Sequence, residues 1–326
     1  MFETRITRKL GIRYPIIGGT MMSISTADFV AAISNAGGLG ILASAIYASQ
    51  EDFAAAIDRI RQLTDKPFAV NINLFPAMRP IDNDQYMDVL VEKGVKIVET
   101  SGHSAPEGLC RRFKDAGMTW IHKCVGVRYA RKVEGMGADI VTVVGYENGG
   151  ATGNLDIGTL VLVPTVRDAI GLPVIAGGGV SDGRGLAAVL ALGAEAVIIG
   201  TRLLATVECP IHEKVKQALL TATEVDTRLV LRSIGATHRV WNNPAAEVCQ
   251  ELEKAGAGLE ELVRAASGEK ARLMYRTGDL ECGIMSCGQG VGMVRDIPTV
   301  AELFQRMMTQ AEETVRRLSG DFVQWS

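Results

Sequence analysis

Eight short apolar runs, separated by amphipathic stretches of helical period, fill the chain from residue 14 to residue 201 and constrain its fold more than any other feature. They are YPIIGG (14–19), LGILAS (39–44), PFAVNINL (67–74), VKIVETS (95–101), TWIHKC (119–124), DIVTVVG (139–145), PVIAGGG (173–179) and AVIIGT (196–201). Runs of this length, rich in Val and Ile, read as buried strands, and segments such as EDFAAAIDRIRQLTDK and GRGLAAVLALGA place apolar residues three and four apart as helices do. Alternation of strand and helix implies a parallel sheet, because each helix carries the chain back before the next strand begins. Periodicity leaves a closed barrel and an open doubly wound sheet both standing. The unusual residues separate them: Gly18, Gly19 and Thr20, then Asn71, Asn73, Ser101, Lys123, Gly149, Gly150, Gly177 to Gly179, Gly200 and Thr201 fall at the carboxyl ends of many different strands. An open sheet gathers its ligand residues at one switch point, whereas a barrel collects them from most of its loops. The fold is predicted to be a TIM (β/α)8 barrel.

Beyond residue 206 the rhythm stops. Residues 207–284 read as an inserted, mostly helical subdomain with one strand-like run, TRLVLRS. A final amphipathic helix, TVAELFQRMMTQAEETVRRL (299–318), is expected to complete the outer ring, so the barrel is assigned residues 1–206 plus 285–326. A pocket between a barrel mouth and an appended subdomain is a favoured place for a small-molecule substrate. With 34 Lys and Arg against 37 Asp and Glu, a net charge of -3, and no long run of one sign, neither nucleic acid nor an anionic membrane is an expected partner. No segment approaches the roughly 18 apolar residues of a spanning helix, and the opening MFETRITRKLGIRYP lacks the apolar stretch of an export signal, which predicts a cytoplasmic protein. Six scattered cysteines with no CxxC pair are expected to be reduced thiols and hold no metal.

AGGGVSDGRG (176–185) and IIGT (198–201) follow the seventh and eighth runs, where barrels often bind phosphate. Glycine N–H groups approach an anion closely, and the N-terminus of the following helix favours its charge. A dinucleotide-binding reading would use Glu195, 18 residues after Gly177, but Glu195 begins the next strand and so lies at the wrong edge of the sheet. Asn71, Lys123, Gly149 and Gly150 would surround whatever is attached to the phosphate, Asn71 as a ring-edge amide and Lys123 as a cation. Glu147 is expected to bond backbone amides of its own loop. Strand alternation turns His122 away from Lys123 into packing, places His103 on the loop face, and leaves His212 and His238 as structural residues of the subdomain. No Ser-His-Asp, Cys-His or paired-carboxylate set converges, so the chemistry is expected from a cofactor.

In order and spacing, PIIGGTM, TDKPFAVNINL, IHKC, GYENGGATG, PVIAGGGVSDGRGLAAVLALGAEAVIIGT and GIMSCGQGVG resemble the FMN-dependent nitronate monooxygenase family over nearly the whole chain. VNINLFPAMRP and VKIVETSGHSAPE look most like its NADH:quinone reductase branch; flavin-dependent enoyl-acyl-carrier-protein reductases are also members. The resemblance implies that Gly19, Thr20 and Met21 line the flavin, that Asn71 and Lys123 reach its polar edge, and that Gly149 and Gly150 lie beside its ring. It likewise implies that Gly178, Gly179, Gly200 and Thr201 cradle the FMN phosphate and that Ser286, Gly288 and Gln289 return to the barrel mouth. Met21, Met22 and Met285 are candidates for an apolar wall over the flavin. Two positions depart from the family. Ala151 stands where the pattern G-x-E-x-G-G-H-x-G has histidine, whose implied role is to take the substrate's carbon-bound proton or bind its nitro anion. Gly18 stands where many relatives carry a bulkier polar residue, and is expected to open space over the flavin.

The expected function is an oxidoreductase in which NADH or NADPH reduces bound FMN and the flavin reduces a quinone or an activated enoyl or acyl-thioester double bond, or the reverse dehydrogenation. The alternatives are a nitronate monooxygenase using O2, a flavin-binding protein without turnover, and a flavin-free barrel enzyme forming a Schiff base on Lys123. The subdomain would form the nicotinamide and substrate side, with Lys214, Arg232 and Arg239 as candidate contacts for an acidic carrier such as a CoA phosphate. A homo-oligomer is compatible with all of these.

Overall fold

The computed structural model describes residues 2–74, 82–102 and 105–322. All eight apolar runs form strands: β1 (Ile16–Gly18), β2 (Gly40–Ala43), β3 (Phe68–Asn73), β4 (Ile97–Ser101), β5 (Thr119–Cys124), β6 (Ile140–Val144), β7 (Val174–Gly177) and β8 (Ala196–Ile199). From β2 to β8 each pairs in parallel with the next, and β8 pairs with β1. A parallel bridge between Ile17 and Leu39 joins β1 to β2, with Gly18 N donating to Leu39 O at 2.9 Å and Leu39 N to Ile16 O at 3.0 Å. That bridge brings the two ends of the sheet together, and the architecture is the expected (β/α)8 barrel.

Side-chain alternation sorts the strands into two layers. Ile17, Ile41, Ala69, Ile97, Ile121, Ile140, Ile175 and Ile198 fill the interior. Their neighbours Val70, Val98, Trp120, Val141, Val174 and Val197 face the helices. The helix Arg5–Leu10, opened by a capping box at Thr4, adds Ile6 and Leu10 to the interior cluster and so plugs one end of the barrel. Glu195 serves that plug, accepting from Arg5 N at 2.9 Å and Arg5 Nε at 2.7 Å. Its carboxylate lies at the end of the barrel opposite the glycine turns.

The last helix, Val300–Arg317, begins with a Thr299–Glu302 capping box and buries Leu303, Phe304, Met307 and Met308 against the helices Gly183–Ala191 and Ala27–Asn35. Gly183 fits there only as glycine, since a Cβ would lie 2.2 Å from Met307 O. Between β8 and this helix lie the helices Glu213–Thr221, Pro244–Lys254, Leu259–Ala265 and Gly268–Thr277, and a hairpin of Thr227–Val230 with His238–Trp241. TRLVLRS supplies the first hairpin strand; the second, HRVW, went unrecognised. Its outer neighbour is Gly150–Ala151, a two-residue strand from the loop after β6, which makes a three-stranded antiparallel sheet. No helix among the described residues is long and apolar enough to cross a membrane.

Candidate functional site

At the carboxyl ends of the strands the interior changes from apolar to polar. On β4 the inward series continues from Ile97 to Glu99 and Ser101, on β3 from Ala69 to Asn71, and on β5 from Ile121 to Lys123. Glu99 is wholly buried, and its Oε2 accepts from Thr20 Oγ1 at 2.8 Å and Asn71 Nδ2 at 2.7 Å. Asn71 Nδ2 also reaches Ser101 Oγ at 3.1 Å. A carboxylate only accepts, so this contact fixes which end of the Asn71 amide is nitrogen. With both amide protons so placed, Asn71 is left with Oδ1 as its acceptor for a ligand. Glu99 Oε1 and Thr142 Oγ1 are buried with no hydrogen-bond partner among the described residues. Lys123 sits in register between Ser101 and Thr142 and makes no hydrogen bond or ion pair among the described residues.

The turns after β7 and β8 offer backbone donors. Gly178 and Gly179 have φ of +99° and +73°, a conformation that favours glycine, and a Cβ on Gly178 would lie 2.7 Å from Thr159 Oγ1. The N–H groups of Gly178, Gly179, Gly200 and Thr201 have no acceptor among the described residues. Beside Gly200, a Cβ would meet only Met21 Sδ, at 3.7 Å, so the turn is open toward Met21. The helix after β7 adds less than expected. Asp182 Oδ1 accepts from Arg184 N at 2.9 Å, and Gln310 Oε1 accepts from Gly183 N at 2.8 Å. These side chains occupy the helix N-terminus, so the glycine turns themselves carry the available donors.

The segment Ser286–Gln289 returns to this end of the barrel: Gly288 N donates to Thr201 Oγ1 at 2.9 Å, and Gln289 N to Glu147 O at 3.0 Å. A Cβ on Gly149 would lie 2.6 Å from Gly288 N, so that glycine permits close backbone packing. Glu147 caps the helix Thr159–Ala169, its carboxylate accepting from Thr159 N at 3.0 Å and Thr159 Oγ1 at 2.9 Å. This is the structural role expected for it, reached twelve residues along the chain.

A cavity of about 420 Å³ opens on the β4–β6 side of the mouth. Its walls include Ser101, Lys123, Val144, Arg128, Ala151 and His238, joining the barrel to the loop at 235–238. His122 also touches it, but its ring is turned into the outer layer, with Nδ1 2.7 Å from Thr100 Oγ1 and an edge contact to Trp120. Burial, aided by the charge of Lys123, lowers its pKa to about 4. Burial likewise pushes the Cys124 thiol up to about 12.

Several expectations are corrected. Gly18 opens no space over the site: it belongs to the outward set, where a Cβ would lie 2.7 Å from Ile33 Cδ1. Met285 is fully buried in the core. Arg239 offers little to an acidic carrier, being 3% exposed, stacked 4.4 Å over the Tyr146 ring and bonded from Nε to Tyr146 O at 3.1 Å. Arg232 is paired with Asp156. His238 lines the cavity. His103 lies outside the described residues. Glu99 went unrecognised because VKIVETS reads as one buried strand, and only the barrel's curvature brings Thr20 and Asn71 to it.

The family model described as nitronate monooxygenase matches residues 3–87 and 77–310. A 5-hydroxy-7a-methyl-1-oxo-octahydro-1H-indene-4-carboxyl-CoA dehydrogenase of Mycobacterium tuberculosis is 33% identical, over 95% of this chain and 96% of that protein. The structure of FabK from Thermotoga maritima has a TM-score of 0.90 and 36% identity, covering 99% of this chain and 100% of that one. A nitroalkane oxidase from Streptomyces ansochromogenes has a TM-score of 0.82 and 27% identity, covering 96% and 99%.

Proposed function

The chain belongs to the nitronate monooxygenase family, and from that premise we propose that it is an FMN-dependent oxidoreductase that moves a hydride between the flavin and an acyl thioester, with NADH or NADPH at the other end of the cycle. The observation that carries the reading is an oriented acceptor, Asn71 Oδ1, and a cation without a partner among the described residues, Lys123, at inward positions of β3 and β5 on either side of Ser101 at the barrel mouth. The edge of a flavin presents an N–H between two carbonyls, which suits one acceptor and one neighbouring cation. The unpaired N–H groups of Gly178, Gly179, Gly200 and Thr201 suit its phosphate.

When bound, FMN supplies hydride exchange at its N5 position. The protein's part is placement and charge. Lys123 holds positive charge at the polar edge, where negative charge is favoured beside it. Glu99 holds Thr20 and Asn71, and the Ser286–Gln289 segment is tied to the turn after β8 by the bond from Gly288 N to Thr201 Oγ1. An acyl thioester is favoured over a quinone because a relative spanning nearly the full chain is named as a carboxyl-CoA dehydrogenase. The residues 207–284 would form the nicotinamide and substrate side.

Oxidation of a nitronate is the second reading, supported by the family's name and the nitroalkane oxidase. Ala151 counts against it, since a methyl group neither takes a proton nor binds an anion. The test is an anaerobic absorption spectrum of the purified protein with NADH, NADPH, butyryl-CoA and propane-2-nitronate in turn. Flavin bands that bleach with a nicotinamide or the thioester are expected. Bands that respond only to the nitronate would transfer the assignment to the second reading, and a colourless protein that takes up no FMN would end both.

A further inference from the structure

The cavity crosses the rim of the barrel. Lys123 and Val144 belong to the inward series of β5 and β6, whereas Cys124 and Val133 belong to the outer layer packed against the helices, and all four line the same space. A ligand lying there starts at the mouth beside Lys123 and leaves over the end of β5 toward the helix Val127–Gly135. Much of its path is apolar, along Val125, Val133 and Leu155. Leu155 packs on the start of that helix, where a Cβ on Gly126 would lie 3.0 Å from Leu155 Cδ1. The charge along the path has one sign: the described lining residues include Lys123, Arg128 and Lys132 but no Asp or Glu. Lys132 is answered by Glu107 at 2.7 Å. Arg128, exposed in the first turn of the helix, makes no hydrogen bond or ion pair among the described residues, and that turn carries no acidic residue. A guanidinium at the outer end of a largely apolar path suits a planar oxyanion, which its fork of donors meets with two parallel hydrogen bonds. Size favours the acyl part of a thioester as the source of that oxyanion. At the roughly 30 Å³ a water occupies in the liquid, the cavity of about 420 Å³ holds about fourteen atoms of that size. That is room for a short acyl chain, and far too little for the pantetheine arm and nucleotide of coenzyme A.

We propose that this cavity takes an acyl chain that ends in a carboxylate, as in the monothioester of a dicarboxylic acid, and that Arg128 binds the carboxylate and sets the preference for it. The thioester end lies toward Lys123, and the methylenes lie against Val125, Val133 and Leu155. Arg128 is thus a specificity-determining residue, separate from the groups that hold the flavin. The inference rests on the acyl-thioester reading of the site and adds to it the class of acyl group.

The test measures binding of glutaryl-CoA and butyryl-CoA to the purified holoprotein by calorimetry without oxygen; the two share a carrier and differ chiefly in the terminal carboxylate. The parent should bind glutaryl-CoA about tenfold more tightly. Arg128→Gln should bring the ratio of the two affinities to about one, and Arg128→Lys, which keeps the charge without the fork, should give an intermediate ratio. Because Arg128 is exposed, both variants should keep the parent's melting temperature. A parent that binds butyryl-CoA but shows no preference for glutaryl-CoA would overturn the proposal. So would Arg128→Gln weakening both thioesters by the same factor, which would put the guanidinium on the carrier. Arg128→Gln weakening NADPH relative to NADH, with the thioester ratio unchanged, would put it on a nicotinamide phosphate and overturn the proposal equally. A parent that binds neither thioester would defeat the acyl-thioester reading itself, and this inference with it.

Discussion

Replacing Glu99 by Gln separates holding the fold from holding a ligand. Oε2 of Glu99 takes two hydrogen bonds, from Thr20 Oγ1 and Asn71 Nδ2, while Oε1 is buried without a partner. Hydrogen bonds to an ionised group contribute about 1.5–3 kcal/mol each and neutral ones about 0.5–1.5, so neutralising the acceptor costs roughly 2–3 kcal/mol over the two. Removing a buried carboxylate whose second oxygen is unsatisfied offsets a comparable amount. The net change in folding stability is therefore expected to stay within about 2 kcal/mol. The effect at the mouth is different in kind. If the Gln amide nitrogen faces Asn71, two donors meet, and Asn71 relieves the clash by turning its own oxygen inward. Its NH2 then replaces an acceptor with a donor at the ligand edge. Losing that one hydrogen bond costs about 1–2 kcal/mol, a 5- to 30-fold weaker affinity. Urea unfolding of the flavin-free protein gives the first quantity, and titration of FMN by quenching of its fluorescence gives the second. A variant that binds FMN within twofold of the parent but unfolds more than 3 kcal/mol more easily would refute the reasoning and make Glu99 a purely structural residue.

Three further outcomes follow from the same geometry. Gly178→Ala should destabilise the protein by about 2–5 kcal/mol, combining the cost of an L-residue at φ +99° with a Cβ 2.9 Å from Gly145 N, and a melting temperature equal to the parent's would contradict it. Glu147→Ala removes the cap on the helix Thr159–Ala169 and should cost about 1–2 kcal/mol in urea unfolding, most directly visible as faster amide exchange in that helix. His122 has a folded pKa near 4, below its ordinary value of 6.5, so its contribution to stability is fully present above 6.5 and is lost as pH falls toward 4. Unfolding free energies measured from pH 7 to 4 should therefore fall by up to about 3 kcal/mol more in the parent than in His122→Phe, and parallel curves would show that burial does not hold the ring neutral.

The barrel was legible because its signal is repeated. Each of the eight strands carries the same local pattern, and the places where that pattern meets glycine or a polar residue mark one end of the barrel. The glycine turn after β7 was legible for a local reason: Gly178 and Gly179 hold a backbone shape that few other residues adopt. Glu99 was not. Flanked by Val98 and Thr100 in a run that reads as uniformly buried, it gains meaning only from Thr20, 79 residues away, and from Asn71, 28 residues away. Gly18 and Gly19 show the limit from the other side. They are adjacent and chemically identical, yet alternation sends one toward Ile33 and leaves the other against Ile199 O, donating to that oxygen at 2.8 Å. A one-residue error in register exchanges a glycine packed against a helix for one packed against the neighbouring strand.

The same limit governs the loop GYENGGATG. Read along the chain, Ala151 marks the loss of a reactive group, because a motif records only what stands at one position. In three dimensions Gly150 and Ala151 are the edge of a sheet whose next strand comes from residues 238–241, 87 residues beyond Ala151 at the paired position His238. A side chain's chemistry at a cavity depends on which face it leaves and what opposes it, and an antiparallel pair gives either partner access to the same space.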